Sequence, residues 1–271
     1  DRAMFVGVEF KQSAKIIDTH CHLDDKAYND DLNEVLANSF ENNIDKIIIP
    51  AADIKDLPRA VALCESYENL YFAVGTHPHF CASYDEKPLR DFITHEKCVG
   101  VGECGLDYHY IKADDMEEKA RQERVFVAQL ELAVEFKKPV IIHIREANAP
   151  SFKLLQSYAQ RLVGGVLHCF NASEMLLDLK DKFYFGIGGV VTFKNAKNLV
   201  QILPKIPQNR LLIETDAPYL TPEPFRGQRN EPILTHFVAS KMAEILGVQR
   251  DELIKTCTQN SHDLFFKRLA V

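Results

Sequence analysis

A chain of 271 residues with 46% hydrophobic content can bury a sizeable core, and no apolar run approaches the roughly 20 residues a membrane-spanning helix needs. A net charge of −7 argues against non-specific nucleic-acid binding through a broad basic surface, so any polyanion has to be held locally. The seven cysteines form no Cys-x-x-Cys pair, which reads as the reduced thiols of a cytoplasmic protein, and no signal peptide is visible.

Residues 1–15 show weak periodicity, enclose Met4, and are read as an N-terminal extension, in part a cloning remnant. Strand-like apolar runs are then expected at 16–22, 46–51, 70–76, 98–104, 139–145, 165–170, 183–188 and 210–215. Several, such as KIIIPA, YFAVG and PVIIHI, are nearly continuous, as parallel strands covered on both faces require. Amphipathic stretches lie between them: Leu32, Val35, Leu36 and Phe40 share one helical face, as do Phe126, Leu130, Ala133 and Val134, and Leu154, Leu155 and Tyr158. Strand then helix, eight times over, predicts an α/β protein with a (β/α)8 TIM-like barrel forming a single domain over 16–271. Two connections are long, DYHYIKADDMEEKARQE and PYLTPEPFRGQRNEP, and both leave the strand ends where barrel active sites form.

The polar residues gather at those ends. His20 and His22 follow the first strand, His77 the third, Glu103 closes the fourth, His143 and Arg145 the fifth, His168 the sixth, and Glu214 and Asp216 the eighth. A lone histidine at such a place is usually a satisfied structural residue, but a coincidental polar cap does not account for His20, His22, His143, His168, Glu103 and Asp216 together on one rim. Imidazole and carboxylate without Cys suit Zn²⁺, Mn²⁺, Fe²⁺ or Mg²⁺. Six ligands exceed what one ion with an open water position needs, so two divalent ions sharing a carboxylate are expected.

The blocks IDTHCHLD, GTHPH, VGVGECGLDYH, RQERVFVAQLELA, KPVIIHIREA, HCF, LLIETDAPYL and FRGQRNEP resemble the TatD family of metal-dependent deoxyribonucleases, in the family's order and across nearly the whole chain. The resemblance implies a metal-dependent hydrolase of DNA phosphodiesters, an exonuclease on single-stranded ends. It implies His20, His22, Glu103 and Asp216 around one ion, Glu103, His143 and His168 around the other, and His77 as a catalytic histidine near the phosphate. Two departures, Glu146 for Asp and Asn171-Ala172 for Ser-Gly, fall on loops that could contact substrate. Asp216, the last carboxylate at the end of the eighth strand, is the expected proton acceptor, and Arg145, Arg226 and Arg229 the expected phosphate contacts. Rival readings are an amidohydrolase of small amides, lactones or cyclic ureas, an aminoacyl-tRNA deacylase, and a non-catalytic metal scaffold. The scaffold is disfavoured because a structural site closes with four ligands.

The remaining candidates have plainer readings. Cys21, Cys104 and Cys169 adjoin ligands, so alternation turns them into the core. His79 and His109 could touch substrate from rim loops, while His95, His236 and His262 read as surface or structural. Asp114, Asp115, Glu117 and Glu118 suit a helix N-terminus. Asp107 is expected to orient a loop, and Asn260 to cap a helix.

Overall fold

The computed structural model describes residues 10–267; residues 1–9 of the expected extension lie outside them. Eight parallel strands pair in chain order: β1 (Ile16–Asp18), β2 (Ile44–Ile49), β3 (Leu70–Val74), β4 (Cys98–Asp107), β5 (Val140–Arg145), β6 (Gly165–Leu167), β7 (Phe183–Ile187) and β8 (Leu211–Ile213). Their loop ends close into a barrel where Thr19 N–H donates to Ile213 O (3.2 Å), Asp216 N–H to His20 O (2.8 Å) and His22 N–H to Ala217 O (2.8 Å). This is the expected (β/α)8 TIM barrel.

The helices between strands follow the apolar stripes of the sequence. Val35 and Leu36 are the buried apolar residues of α1 (Leu32–Glu41), and Phe126, Leu130 and Ala133 are buried along α4 (Met116–Phe136). The acidic run starts α4 as expected: Asp115 accepts from Glu118 N–H at 3.1 Å, and Glu117 and Glu118 occupy the first turn. The other long helices are α5 (Asn148–Tyr158), α8 (Thr235–Leu246) and α9 (Arg250–Ser261).

The barrel interior holds one apolar residue from each of seven strands: Ile17, Ile48, Ala73, Val99, Ile141, Val166 and Leu212. Leu264, Phe265 and Phe266 pack beneath this layer, near Gly100 and Gly164 at the strand starts. Two residues further along three of these strands stand His143, His168 and Glu214, on the same face. The polar layer therefore rests directly on a dry one.

Most strand bounds differ from the sequence expectation by a few residues, and two of the differences shape the site. The β1 ladder ends at Asp18, so His20 and His22 lie beyond it, tied by the bonds to β8 and an isolated Cys21–Ala217 bridge. β4 runs on to Asp107 and is buried throughout. Gly105 makes this possible: its φ is +154°, and a Cβ there would lie 1.9 Å from His143 O, so only glycine lets β5 come this close. Asn260 does not cap a helix; its side-chain amide donates to Gln208 O and Leu211 O, both at 2.9 Å, tying α9 to the start of β8. Phe10, at the described edge of the extension, stacks on buried His236 at 4.0 Å, and His236 also meets Asn42 O and Arg250, each at 2.6 Å. That histidine is structural.

Candidate metal centre

Four segments bring His20, His22, Glu103 and Asp216 together. Glu103 Oε2 lies 3.2 Å from His20 Nε2 and 3.1 Å from His22 Nε2, and Asp216 Oδ1 is 3.2 Å from each of the same nitrogens. The other oxygen of Glu103 faces a second set. Its Oε1 lies 3.0 Å from His168 Nε2, 3.5 Å from His143 Nδ1 and 4.0 Å from His77 Nε2. One buried carboxylate thus divides two groups of imidazoles between its two oxygens.

The chain needs help to hold this arrangement. Asp18 is fully buried and accepts from Thr215 Oγ1 (2.6 Å), Thr215 N–H (3.1 Å) and His20 N–H (3.2 Å), fixing the two ligand-bearing turns to one another. Burial pushes its carboxyl up to about 7. Asp216 sits at φ +57° and Cys169 at φ +46°, left-handed conformations that a non-glycine residue adopts at a cost. The turn at Cys169 corrects the core expectation for that thiol: it is half-buried and lines the cavity, whereas Cys21 and Cys104 are buried.

Two further carboxylates face the outer nitrogens of the second histidine pair. Asp107 Oδ2 lies 2.8 Å from His143 Nε2, and Glu214 Oε2 lies 3.7 Å from His168 Nδ1. Asp107 was expected only to orient a loop, but the extension of β4 brings it to the site wall, where it also meets His79 Nε2 at 3.1 Å. The signal lay in the Gly105 spacing, which keeps the strand paired past Glu103. His77, His79 and Asp107 form another group whose ligand atoms lie within 4.8 Å of one another.

The electrostatics are set by burial and by the facing carboxylates and imidazoles. Burial alone would raise Glu103, but His20 and His168 beside it hold its carboxyl well below the usual range. Burial likewise opposes Asp216, and the imidazoles of His20 and His22 beside it hold it low. Burial disfavours charge on His22 and His168, yet Asp216 and Glu103 facing His22, and Glu103 and Glu214 facing His168, raise both well above an ordinary histidine. His77 differs: burial, with His143 and His79 close by, lowers it to about 3 despite Glu103. It is a neutral imidazole whose Nδ1 accepts from His79 N–H at 3.0 Å, which puts its proton on Nε2.

The residues fit a metal. His20 Nε2 is buried between two carboxylates without hydrogen-bond geometry to either, and the His20 ring stacks on His168 at 3.8 Å, where two imidazolium charges would repel. The donor groups His20–His22–Asp216 and His20–Glu103–His168 each lie within 4.8 Å.

These groups open on a cavity of about 910 Å³, lined also by His79, Arg145, Asn171 and Tyr219. The three expected phosphate arginines separate here. Arg145, exposed at the end of β5, lines the cavity; Arg226 and Arg229 do not. Arg226 lies over the Phe193 ring at 3.7 Å. Arg229 pairs with Asp31 at 2.7 Å and Glu231 at 3.3 Å and covers Tyr28, so its fork is already occupied. His109 pairs with Glu146 at 2.9 Å, outside the cavity lining, while His79 lines it. Among the described residues no helix is long and apolar enough to cross a membrane.

The family model of the TatD related DNases matches residues 17–266. An uncharacterized metal-dependent hydrolase of Bacillus subtilis, YabD, is 39% identical over 92% of this chain and 98% of its own length. The 3'-5' ssDNA/RNA exonuclease TatD of Edwardsiella piscicida is 33% identical over 92% of this chain and 99% of its own. The crystal structure of YjjV, a TatD homologue of Escherichia coli K12, superposes with a TM-score of 0.82 at 32% identity, covering 92% of this chain and 97% of that one. The chain belongs to the TatD related DNase family and is a metal-dependent hydrolase.

Proposed function

We propose that the protein hydrolyses phosphodiester bonds of DNA, as an exonuclease on single-stranded ends, with two divalent ions of the Mg²⁺, Mn²⁺ or Zn²⁺ class. The observation that carries this reading is the division of Glu103 between two sets of donors, Oε2 with His20, His22 and Asp216, and Oε1 with His143 and His168. The family match and the relatives named as exonucleases support the substrate class. Two ions bound there would supply positive charge that acidifies water and neutralises phosphate oxygens.

The chain's own groups divide the remaining work. Asp216 offers Oδ1 to His20 and His22, and Oδ2 is the oxygen left to take the proton of the attacking water. His77, neutral and protonated on Nε2, donates a hydrogen bond to a phosphate oxygen; a neutral imidazole polarises the phosphate rather than protonating the leaving group. Arg145 is the cavity arginine available to the phosphate backbone. Asp107 orients His143, and Glu214 stands 3.7 Å from His168 Nδ1 as a negative charge behind that ring.

The test is a substrate panel: end-labelled single-stranded and duplex DNA, an aminoacyl ester and a small amide, each with added Mg²⁺, Mn²⁺ or Zn²⁺. Stepwise shortening of the single strand is expected. Turnover of the amide or the aminoacyl ester with DNA left intact would overturn the assignment.

A further inference from the structure

The cavity has few cations with which to hold a polyanion. Outside the ligand groups its charged lining is Arg145 and Lys55 against Asp24, Asp25, Asp53 and Asp56, so one flank repels phosphate. With Arg226 and Arg229 engaged elsewhere, backbone charge cannot supply much of the grip on a strand. The rim is instead aromatic. Of the five exposed large hydrophobic side chains among the described residues, Phe80 (38%), Tyr110 (72%) and Tyr219 (55%) line this one cavity. Exposed rings gathered at a binding mouth, rather than scattered, mark a recognition surface.

Tyr110 is the most exposed of the three and is nonetheless held in place. It follows β4 in the loop beyond Asp107, with His109 edge-on at 4.5 Å and His79 edge-on at 5.4 Å. The Arg145 guanidinium lies 5.6 Å from its ring centroid. His79 in turn meets Asp107, which meets His143, so the neighbours of the ring lead to the second donor set. A rigid, open phenol ring beside an arginine offers a π-face to an unpaired base and a fork to the adjoining phosphate.

We infer that Tyr110, buttressed by Arg145, His79 and His109, is a platform on which an unpaired nucleobase stacks next to the bond to be cut. This deepens the nuclease reading and rests on it. A duplex cannot present an unstacked base there, so the platform would also set a preference for single strands. The pairing is sequence-tolerant, because every base has a π-face.

The experiment uses the metal-loaded protein and single-stranded oligonucleotides in which each of the last nucleotides is replaced in turn by an abasic tetrahydrofuran or by 2-aminopurine. Tyr110→Ala is expected to raise KM for the intact strand by about 5- to 150-fold, the range that stacking on one aromatic ring supplies, with a much smaller change in kcat. At one position the abasic strand should show the same loss with wild type and no further loss with the variant. 2-Aminopurine at that position should be quenched by wild type and by Tyr110→Phe, which keeps the ring, but not by Tyr110→Ala. Metal content and circular dichroism report whether each variant is intact. Strand cleavage that is indifferent to Tyr110→Ala, or an equal penalty on intact and abasic strands, overturns the platform while leaving the nuclease reading standing. A wild-type protein that neither binds nor cleaves any of these strands overturns both.

Discussion

Asp107 Oδ2 lies 2.8 Å from His143 Nε2, and the opposite nitrogen of that ring, Nδ1, points to Glu103. The carboxylate fixes which nitrogen of His143 is free to act as a ligand, and it is strongly ionised: burial opposes its charge, but the His143 hydrogen bond and the His109 amide lower it to about 2. Asp107→Asn removes the charge and keeps the shape. A loss of about 10- to 100-fold in metal affinity at the second donor set is expected. Metal titration of the variant checks this; unchanged affinity would mean that Asp107 only shapes the loop.

Glu103 and Asp216 should fail in different ways. Glu103→Gln takes a charge from both donor sets at once, so both ions should be weakened and activity should fall by about 10³-fold or more. Asp216→Asn should retain the ion on the Glu103–His143–His168 side and still lose about 10²–10⁴ in rate, because an amide cannot take the proton. Metal analysis alongside single-turnover cleavage separates the two. Near-normal cleavage by Asp216→Asn with both ions bound would move the base to another group.

Chelation should abolish activity while far-ultraviolet circular dichroism still reports a folded barrel, because the apolar layers do not depend on the ions. The pH dependence has a definite sign. In the metal-free protein, His22 and His168 are raised above 6.5 against the effect of burial, so their contribution to stability is full below 6.5 and is lost as pH rises through their folded values. Glu103 and Asp216 are depressed below 4.5 and 3.8, so theirs is present above those values and lost as pH falls through the folded ones. Ion binding needs neutral imidazoles and strengthens with pH. The gap in Tm between loaded and metal-free protein should therefore widen from about pH 6 to 9, which differential scanning fluorimetry reads directly. A gap that narrows would argue against these histidines as ligands.

The arginines can be sorted by one pair of variants. Arg229→Ala should cost about 1–2 kcal/mol of stability, through a half-buried ion pair with Asp31 and the cation–π contact with Tyr28, and leave KM for DNA nearly unchanged. Arg145→Ala should raise KM and flatten its salt dependence with little effect on Tm. The opposite pattern would restore Arg229 as a phosphate contact.

Much of this was readable from the chain because barrels convert strand ends into neighbours. Apolar runs, several of them nearly continuous, located all eight strands to within a few residues, and the polar residues at the ends of the runs located the rim. Strand bounds were less legible: the β1 ladder stops before His20, since a hydrogen bond to Asp18 takes over from the ladder, and β4 outruns its apolar segment because Gly102 and Gly105 carry no side chain to reveal it. The roles of arginines were not legible at all. A guanidinium has the same spacing signature whether it meets a phosphate or Asp31, and only the tertiary fold decides between them. Tyr110 was hidden for the converse reason: an isolated tyrosine in a polar loop has no periodicity to betray it.

The seam that closes the barrel also has a bearing on how the protein is made. Asp216 N–H bonds to the carbonyl of His20, and His22 N–H to that of Ala217, so the first and last strands are joined by the very residues that carry the first donor set. During synthesis His20 and His22 leave the ribosome early and Asp216 only after all eight strands. A chain that stops short of β8 lacks Asp216 and cannot complete that set. Completion of the first donor set is thereby tied to the arrival of the last strand, so the seam that closes the barrel and the centre it carries form together.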